Sequence, residues 1–168
     1  MRKTGKSRSL FWKIILALLT IVILVLEKDN IKTITGNTIT PSLTEKAFVT
    51  RVIDGDTVEL ADGRKVRLIC VNTPEKNQYY YQEATDYMKQ EVLNKDVLLE
   101  KDVSETDRYG RLLRYIRDTK DNHLINYDTV LNGYAKLDRF PPDIKYCNEF
   151  KQAEEKAKEE KIGIWKNS

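Results

Sequence analysis

Histidine is nearly missing from this sequence. His123 is the only histidine among the 168 residues, and it lies in a polar stretch that predicts a turn. A serine or threonine nucleophile therefore has no nearby imidazole to act as its base. With one histidine and no Cys-x-x-Cys pair, a zinc site is disfavoured as well.

Cysteine is almost as scarce. The two cysteines, Cys70 and Cys147, are far apart in the sequence. Cys70 lies in the apolar run "RLICV", where a small buried hydrophobic residue is expected. We therefore expect two free thiols, with a disulfide as the alternative if the domain lies outside the cytoplasm.

Acidic residues are absent from residues 1–26, which contain five basic ones. An apolar run from Leu10 to Leu26 follows the basic start and is interrupted only by Lys13 and Thr20. This pattern is typical of a membrane-targeting segment with its positive end in the cytoplasm. The following "VLEKDN" lacks the small residues of a signal-peptidase site, so we expect an uncleaved anchor. A cleaved signal peptide and a secreted domain are the alternative, and both place the rest of the chain outside the cytoplasm.

A net positive charge is absent from the rest of the chain. The whole sequence has 29 basic and 26 acidic residues, but residues 27–168 hold 24 and 26, a net charge of −2. Such a domain has no broad basic surface for nucleic acid. Binding of DNA or RNA would depend on local clusters or on a bound cation.

Short strand-like segments follow a polar tether over residues 27–46. Residues 47–71 alternate apolar and polar residues as three strands do, with tight connections at Asp54-Gly55 and Asp62-Gly63. The later pattern predicts a helix over 80–93, strands near 96–103 and 111–117, a short helix closed by Gly133 and a charged helix ending near Gly163. This order predicts an α+β, mainly β domain over residues 47–168, built as a five-stranded OB-fold barrel with three helices.

Hard oxygen donors and arginines gather around the predicted hairpin. Asp56 opens the second strand and Asn72 closes the third, so both lie at the same edge and suit Ca²⁺ or Mg²⁺. Arg67 lies on the third strand, Glu75 follows Pro74 in a loop, and Arg111 begins the fifth strand. Two guanidinium groups and a cation could neutralise a phosphodiester while a carboxylate orients the attacking water.

Each of these signals also has a purely structural interpretation. Asp-Gly-Asp is most often a turn with a capping side chain. Arg67 could form an ion pair with Asp54 or Glu100, and Arg111 with Asp107. The joint spacing of the set, rather than any one residue, favours a catalytic site.

Five segments of the chain resemble the staphylococcal nuclease (thermonuclease) family. They are "VIDGDTVEL", "VRLICVNTPE", "TDRYGRLLRYI", "GYAKL" and "KIGIW", in order and at the family's spacing from Phe48 to Trp165. The resemblance implies the five-stranded barrel with three helices. It also implies Ca²⁺-dependent cleavage of DNA and RNA at the 5′ P–O bond, leaving 3′-phosphate ends.

The resemblance also assigns roles to individual residues. Asp56 would be a carboxylate ligand of one Ca²⁺ ion, and Thr73 would add its backbone carbonyl. Glu75 would hold or activate the attacking water. Arg67 and Arg111 would bind the phosphate, with Arg111 also assisting the leaving oxygen.

Nucleotide binding would involve residues further along the chain. Tyr109 would reach the terminal phosphate of the nucleotide, with Arg108 beside it. The loop "DRFPPD" stands where family members often carry tyrosines that pack on base and sugar, and Phe140 is the aromatic residue there. Asp54 and Asp107 match supporting acids of the family.

Asn72 departs from the family pattern, which has a second aspartate ligand at this position. An amide oxygen can still bind the cation, but the site has one negative charge fewer. Since ligand charge tunes calcium affinity, we expect activity with a higher calcium requirement.

The sequence thus favours a monomeric extracytoplasmic nuclease that acts on DNA and RNA. The main alternative is a weakly active or inactive module of the same fold that binds nucleic acid or a protein at the cell surface. A structural surface protein, binding a partner through its charged C-terminal helix, is a third hypothesis.

Overall fold

A computed structural model describes residues 44–167 of the chain. The predicted membrane segment and most of the predicted tether lie outside these residues. Among the described residues, no helix has the length and apolar character that a membrane crossing requires. These residues form one compact unit.

Seven strands, three α-helices and one 3₁₀ turn make up this unit. The strands are β1 Thr44–Val52, β2 Thr57–Leu60, β3 Lys65–Leu68, β4 Val71–Asn72, β5 Asp96–Glu100, β6 Leu112–Asp118 and β7 Lys136–Leu137. The helices are α1 Tyr81–Val92, α2 Ile125–Leu131 and α3 Cys147–Glu159, and the 3₁₀ turn is Gly163–Trp165. The predicted elements are present, with shifted ends: β1 begins three residues before the predicted domain boundary.

Five strands close into a barrel in the order β1-β2-β3-β6-β5. β1 pairs with both β2 and β5, and a register shift between Val49 and Arg51 lets it bend from one partner to the other. β3 and β6 pair in parallel, which completes the ring. The predicted five-stranded barrel with three helices is therefore confirmed for the described residues.

The barrel interior is filled by alternate residues of the strands. The core includes fully buried Val58, Val66, Leu99 and Ile116, and on β2 and β3 the half-buried Glu59 and Arg67 alternate with the core residues. Met88 and Val92 of α1 and Phe150 of α3 extend this core beneath the helices. The rim of the barrel is thus held rigidly, which matters because the predicted site residues lie on it.

The third strand ends earlier than the sequence predicted. β3 stops at Leu68, and Cys70 adopts a left-handed conformation with φ of 62° that turns the chain. Asn72 therefore does not close β3. It lies on the separate two-stranded sheet β4-β7, where it pairs with Lys136.

The expectation of two free thiols is wrong. Cys70 and Cys147 form a disulfide that joins the turn after β3 to the first residue of α3, with Cα atoms 5.8 Å apart. Both cysteines are buried, as the apolar surroundings of Cys70 indicated. Burial alone does not reveal pairing, because the two residues meet only through the docking of α3 on the barrel.

Candidate active site

Asp56 lies at the centre of the predicted site. Its Oδ2 accepts hydrogen bonds from the backbone N–H and the hydroxyl of Thr73, at 2.9 and 3.0 Å. Its Oδ1 accepts one from the Thr57 hydroxyl at 3.0 Å and lies 3.3 Å from Nε of Arg67. One buried carboxylate therefore ties β2, β3 and the loop after β4 together.

The Asp-Gly-Asp turn between β1 and β2 holds this carboxylate in place. The Asp54 side chain accepts the backbone N–H of Asp56 at 3.1 Å, as an aspartate does in a capped turn. Burial, and then the charge of Asp56, raise the pKa of Asp54 to about 6. Two carboxylates in this position resist ionising together, so a cation beside them would be stabilising.

Arg67 is folded against its own loop. Its Nη1 donates to the carbonyls of Leu68 and Val71, which braces the turn that contains the disulfide. Only 14% of the side chain is exposed. Among residues 44–167, Nη2 has no hydrogen-bond partner, so this nitrogen remains available to a ligand.

Arg111 is oriented by Asp107 in the turn before β6. Nε and Nη2 bind one carboxylate oxygen of Asp107 at 2.7 and 2.6 Å. The other oxygen accepts the backbone N–H groups of Tyr109 and Arg111 at 2.9 and 3.0 Å. Burial alone would raise the pKa of Asp107, but these donors outweigh it and lower the pKa below the usual value. The ion pair between Arg111 and Asp107, which the sequence offered as a structural alternative, is therefore present. Nη1 of Arg111 is directed at the Thr57 hydroxyl, 3.4 Å away.

Arg108 and Tyr109 stand beside this turn at the surface. Nη2 of Arg108 donates to the Tyr109 hydroxyl at 2.7 Å, and its guanidinium lies 4.8 Å from the centre of the tyrosine ring. Arg111 approaches the same ring at 5.5 Å. The exposed Tyr109 is thus held in a fixed position by cations.

One cleft of about 530 Å³ collects most of the predicted residues. Its wall includes Arg67, Arg108, Tyr109, Arg111 and Phe140. Phe140 is 74% exposed and offers an aromatic surface to the cleft. A cationic cleft of this size with aromatic walls fits a nucleotide.

Glu75 and Asn72 lie outside this cleft. Both are exposed, and among the described residues the Glu75 carboxylate has no hydrogen bond or ion pair. The Glu75 backbone N–H donates to Oε1 of Gln78 at 2.7 Å, which shapes the loop. The structure therefore joins Asp56, Thr73 and the two arginines, and leaves Glu75 and Asn72 at the edge.

The residues present suit calcium better than a softer metal. The Asp56 carboxylate, the Asn72 amide and the Thr73 carbonyl are all hard oxygen donors. A separate group, Asp118, Asp121 and His123, could also hold a metal, but it lies at the far end of β6 and was not predicted. Exposed acidic clusters are common without an ion, so we assign no role to it.

Two threonine hydroxyls belong to the site and were missed in the sequence. Thr57 bridges Asp56 and Arg111, and Thr73 binds Asp56. The register that pairs Thr57 with Arg67 could have indicated the first of these. The second depends on the separate strand β4, which the sequence did not reveal.

Comparison with known proteins agrees with this geometry. Residues 65–167 match the family model described as "Staphylococcal nuclease homologue". The chain belongs to the staphylococcal nuclease family. The matched residues include Arg67, Asn72, Glu75 and Arg111, while Asp56 lies just before them.

Several curated relatives cover most of the chain. A thermonuclease of Staphylococcus hyicus is 38% identical over 71% of this chain and 75% of its own. A thermonuclease of Staphylococcus intermedius is 35% identical over 72% and 76%. Endonuclease YncB of Bacillus subtilis is 33% identical over 70% of this chain and 60% of its own. The resemblance seen in five short motifs thus extends over the folded domain.

Proposed function

We propose that this chain is a calcium-dependent nuclease that hydrolyses DNA and RNA by attack of water on phosphorus, leaving 3′-phosphate ends. The observation that carries the proposal is the position of Arg67 and Arg111 on one cleft, each braced from behind, with the buried Asp56 beside them. The names of the thermonuclease and endonuclease relatives support the same activity.

The two arginines would stabilise the charge that develops on phosphorus. Arg67 offers Nη2 while its other nitrogens are held by Asp56 and by carbonyls. Arg111 offers Nη1, while Asp107 binds its Nε and Nη2. Donors fixed before the reaction need no reorganisation as the fifth oxygen attacks, and this is why they accelerate it.

Glu75 would act on the attacking water. Its exposed carboxylate has no protein partner among the described residues and follows Pro74, which limits the freedom of the loop. A carboxylate within hydrogen-bond reach of the water orients it and accepts its proton.

Asp56, the carbonyl of Thr73 and Asn72 would hold the cation. When bound, calcium supplies positive charge that polarises the phosphoryl oxygen and the nearby water. The neutral Asn72 in place of a carboxylate predicts weaker binding.

We further propose that the domain works outside the cytoplasm as a monomer, tethered by residues 1–26 or released by cleavage after them. The basic flank and apolar run support this proposal. The disulfide supports it as well, because disulfides persist mainly in oxidising compartments.

Cleavage of labelled single- and double-stranded oligonucleotides, with calcium titrated against EDTA, tests the proposed activity. We expect calcium-dependent cleavage, with 3′-phosphate ends detected by mass spectrometry. Arg67→Ala should lower the rate by about 10²–10³-fold, whereas Arg51→Ala, an exposed arginine on β1, should not. A folded chain that binds oligonucleotides but cleaves none at any calcium concentration would instead be the binding module.

A further inference from the structure

A second cleft lies on the other side of the segment that carries Asn72 and Glu75. It has a volume of about 270 Å³ and is lined by residues 72–74, Gln78, Tyr79 and Lys136, among others. Val71, the residue just before, lines the first cleft. The two clefts therefore share one wall, and Glu75 follows directly at its end.

Lys136 provides an uncompensated positive charge at the second cleft. The pairing of β4 with β7 places Lys136 opposite Asn72, which is neutral. Lys136 is exposed, and among residues 44–167 no carboxylate lies within ion-pair distance of it. The centre of the Trp165 ring lies 5.8 Å from Nζ of Lys136. A lysine in this setting suits a phosphate group.

Tyr79 provides an exposed aromatic surface at the same cleft. It is 55% exposed, and its ring lies beside that of Tyr80, with centres 5.5 Å apart and planes tilted by 49°. Asn77 and Tyr80 flank it with left-handed φ values of 73° and 71°. Such conformations are uncommon for residues other than glycine, and they define the turn that presents Tyr79.

We propose that this second cleft binds the nucleotide that adjoins the one in the first cleft, with its base on Tyr79 and a phosphate at Lys136. The proposal rests on the nuclease function proposed above. A single strand would then run from the arginine cleft past Glu75 into the second cleft. Stacking on a tyrosine tolerates any base, so the cleft would lengthen the binding site without imposing a sequence.

The binding of two probes by the whole chain distinguishes the contribution of the second cleft from that of the first. A nucleoside 3′,5′-bisphosphate fills one cleft only, whereas an octathymidylate spans both, and EDTA prevents cleavage while fluorescence anisotropy or competition is recorded. Tyr79→Ala should weaken octathymidylate binding by about 5- to 100-fold and leave the bisphosphate unaffected. Tyr79→Trp should retain binding. In calcium, Tyr79→Ala should raise KM for the octamer and preserve kcat.

Lys136→Gln tests the phosphate contact. The slope of log affinity against log salt for octathymidylate should fall by about 0.7, the value for one contact on a single strand. Phe48→Ala and Lys151→Gln are matched controls, because both residues are exposed and neither lines the first or the second cleft. Both should bind the octamer as the wild type does.

Two results for Tyr79→Ala would overturn this inference alone. If Tyr79→Ala binds the octamer as tightly as the wild type, or if it weakens the binding of both probes equally, the second cleft does not hold a nucleotide. When the octamer is still bound and cleaved, that result leaves the nuclease function intact. A chain that binds neither probe and cleaves nothing would overturn both proposals.

Discussion

Gly55 is the residue on which the packing around Asp56 depends most closely. A Cβ at this position would lie 2.8 Å from Cγ2 of Thr73 and 3.0 Å from Cβ of Ala84. Thr73 is the residue that binds Oδ2 of Asp56. The small residue between the two aspartates is therefore required by space in the site, and not by a special backbone conformation.

Gly55→Ala should damage both stability and the cation site. We expect a loss of about 1–3 kcal/mol in the free energy of unfolding, because the new methyl group overpacks the region. Displacement of Thr73 should also raise the calcium midpoint of activity. Gly63→Ala is the control: its φ of 85° makes alanine unfavourable there, but the position is open, so the calcium midpoint should not change. Equal calcium midpoints in the two variants would contradict this account.

Asn72→Asp should strengthen calcium binding. The substitution adds a negative charge beside the hard oxygen donors, and we expect the calcium midpoint of cleavage to fall on the order of tenfold. Lys136 lies across the strand pair and would offset part of the gain. Asn72→Asp in a Lys136→Gln background should therefore bind calcium more tightly still. If neither variant shifts the midpoint in titrations of activity, Asn72 is not part of the cation site.

Among the elements, β5, β6 and the start of α3 meet at Glu100. The buried carboxylate accepts from Nε of Arg117 and the hydroxyl of Tyr146, both at 2.8 Å, and also from Nζ of Lys145. Burial alone would raise the pKa of Glu100, but these donors outweigh it and lower the pKa below its usual value. A carboxylate whose pKa falls on folding stabilises the protein above its unfolded pKa, and this contribution disappears as the pH falls.

Glu100→Gln should therefore destabilise the domain in a pH-dependent way. At pH 7 we expect a loss of about 2–4 kcal/mol, because Arg117 and Lys145 lose their charged partner. The difference from the wild type should shrink as the pH falls from the ordinary glutamate pKa of about 4.3 toward the lowered pKa of the native carboxylate. Urea unfolding at several pH values measures it, with the exposed Glu155→Gln as control. A stability difference between Glu100→Gln and the wild type that stays constant with pH would contradict the role given to the Glu100 carboxylate.

The disulfide is the second link between the barrel rim and α3. It closes a loop with a sequence separation of 77 residues. In the chain-entropy model such a loop contributes about 4 kcal/mol to the free energy of unfolding. The double variant Cys70→Ser, Cys147→Ser should lose an amount of this order in urea unfolding, and a dithiol should reduce the wild type to a similar stability. If the urea midpoint is unchanged in both the double variant and the dithiol-treated wild type, the disulfide does not form.

At the scale of the whole molecule, the barrel could be predicted from local patterns. Strand alternation, the Asp62-Gly63 hairpin and Gly133 after α2 each follow from short-range geometry. The disulfide, the strand β4 and the bridging role of Thr73 could not be predicted in this way. Each depends on residues that meet only once the helices have docked, and one sequence contains no direct signal of such contacts.

The candidate site likewise has residues that the sequence could indicate and an arrangement that only the folded chain reveals. The sequence indicated Asp56, Arg67 and Arg111 because their types and spacing suit one phosphate, and the structure places them together. It did not indicate that Glu75 would stand apart at the boundary of two clefts. That boundary is created by the pairing of β4 with β7, which brings Lys136 beside Asn72.

The rate of calcium-dependent cleavage by Glu75→Gln, compared with Glu83→Gln, tests the central claim most directly. Both residues are exposed glutamates that line neither cleft, but Glu75 directly follows the wall residues 72–74, whereas Glu83 lies in the first turn of α1. At saturating calcium we expect Glu75→Gln to lower kcat by about 10²–10⁴-fold and Glu83→Gln to leave it unchanged. A Glu75→Gln variant that cleaves as fast as the wild type would contradict the assignment of this loop and its clefts as the active site.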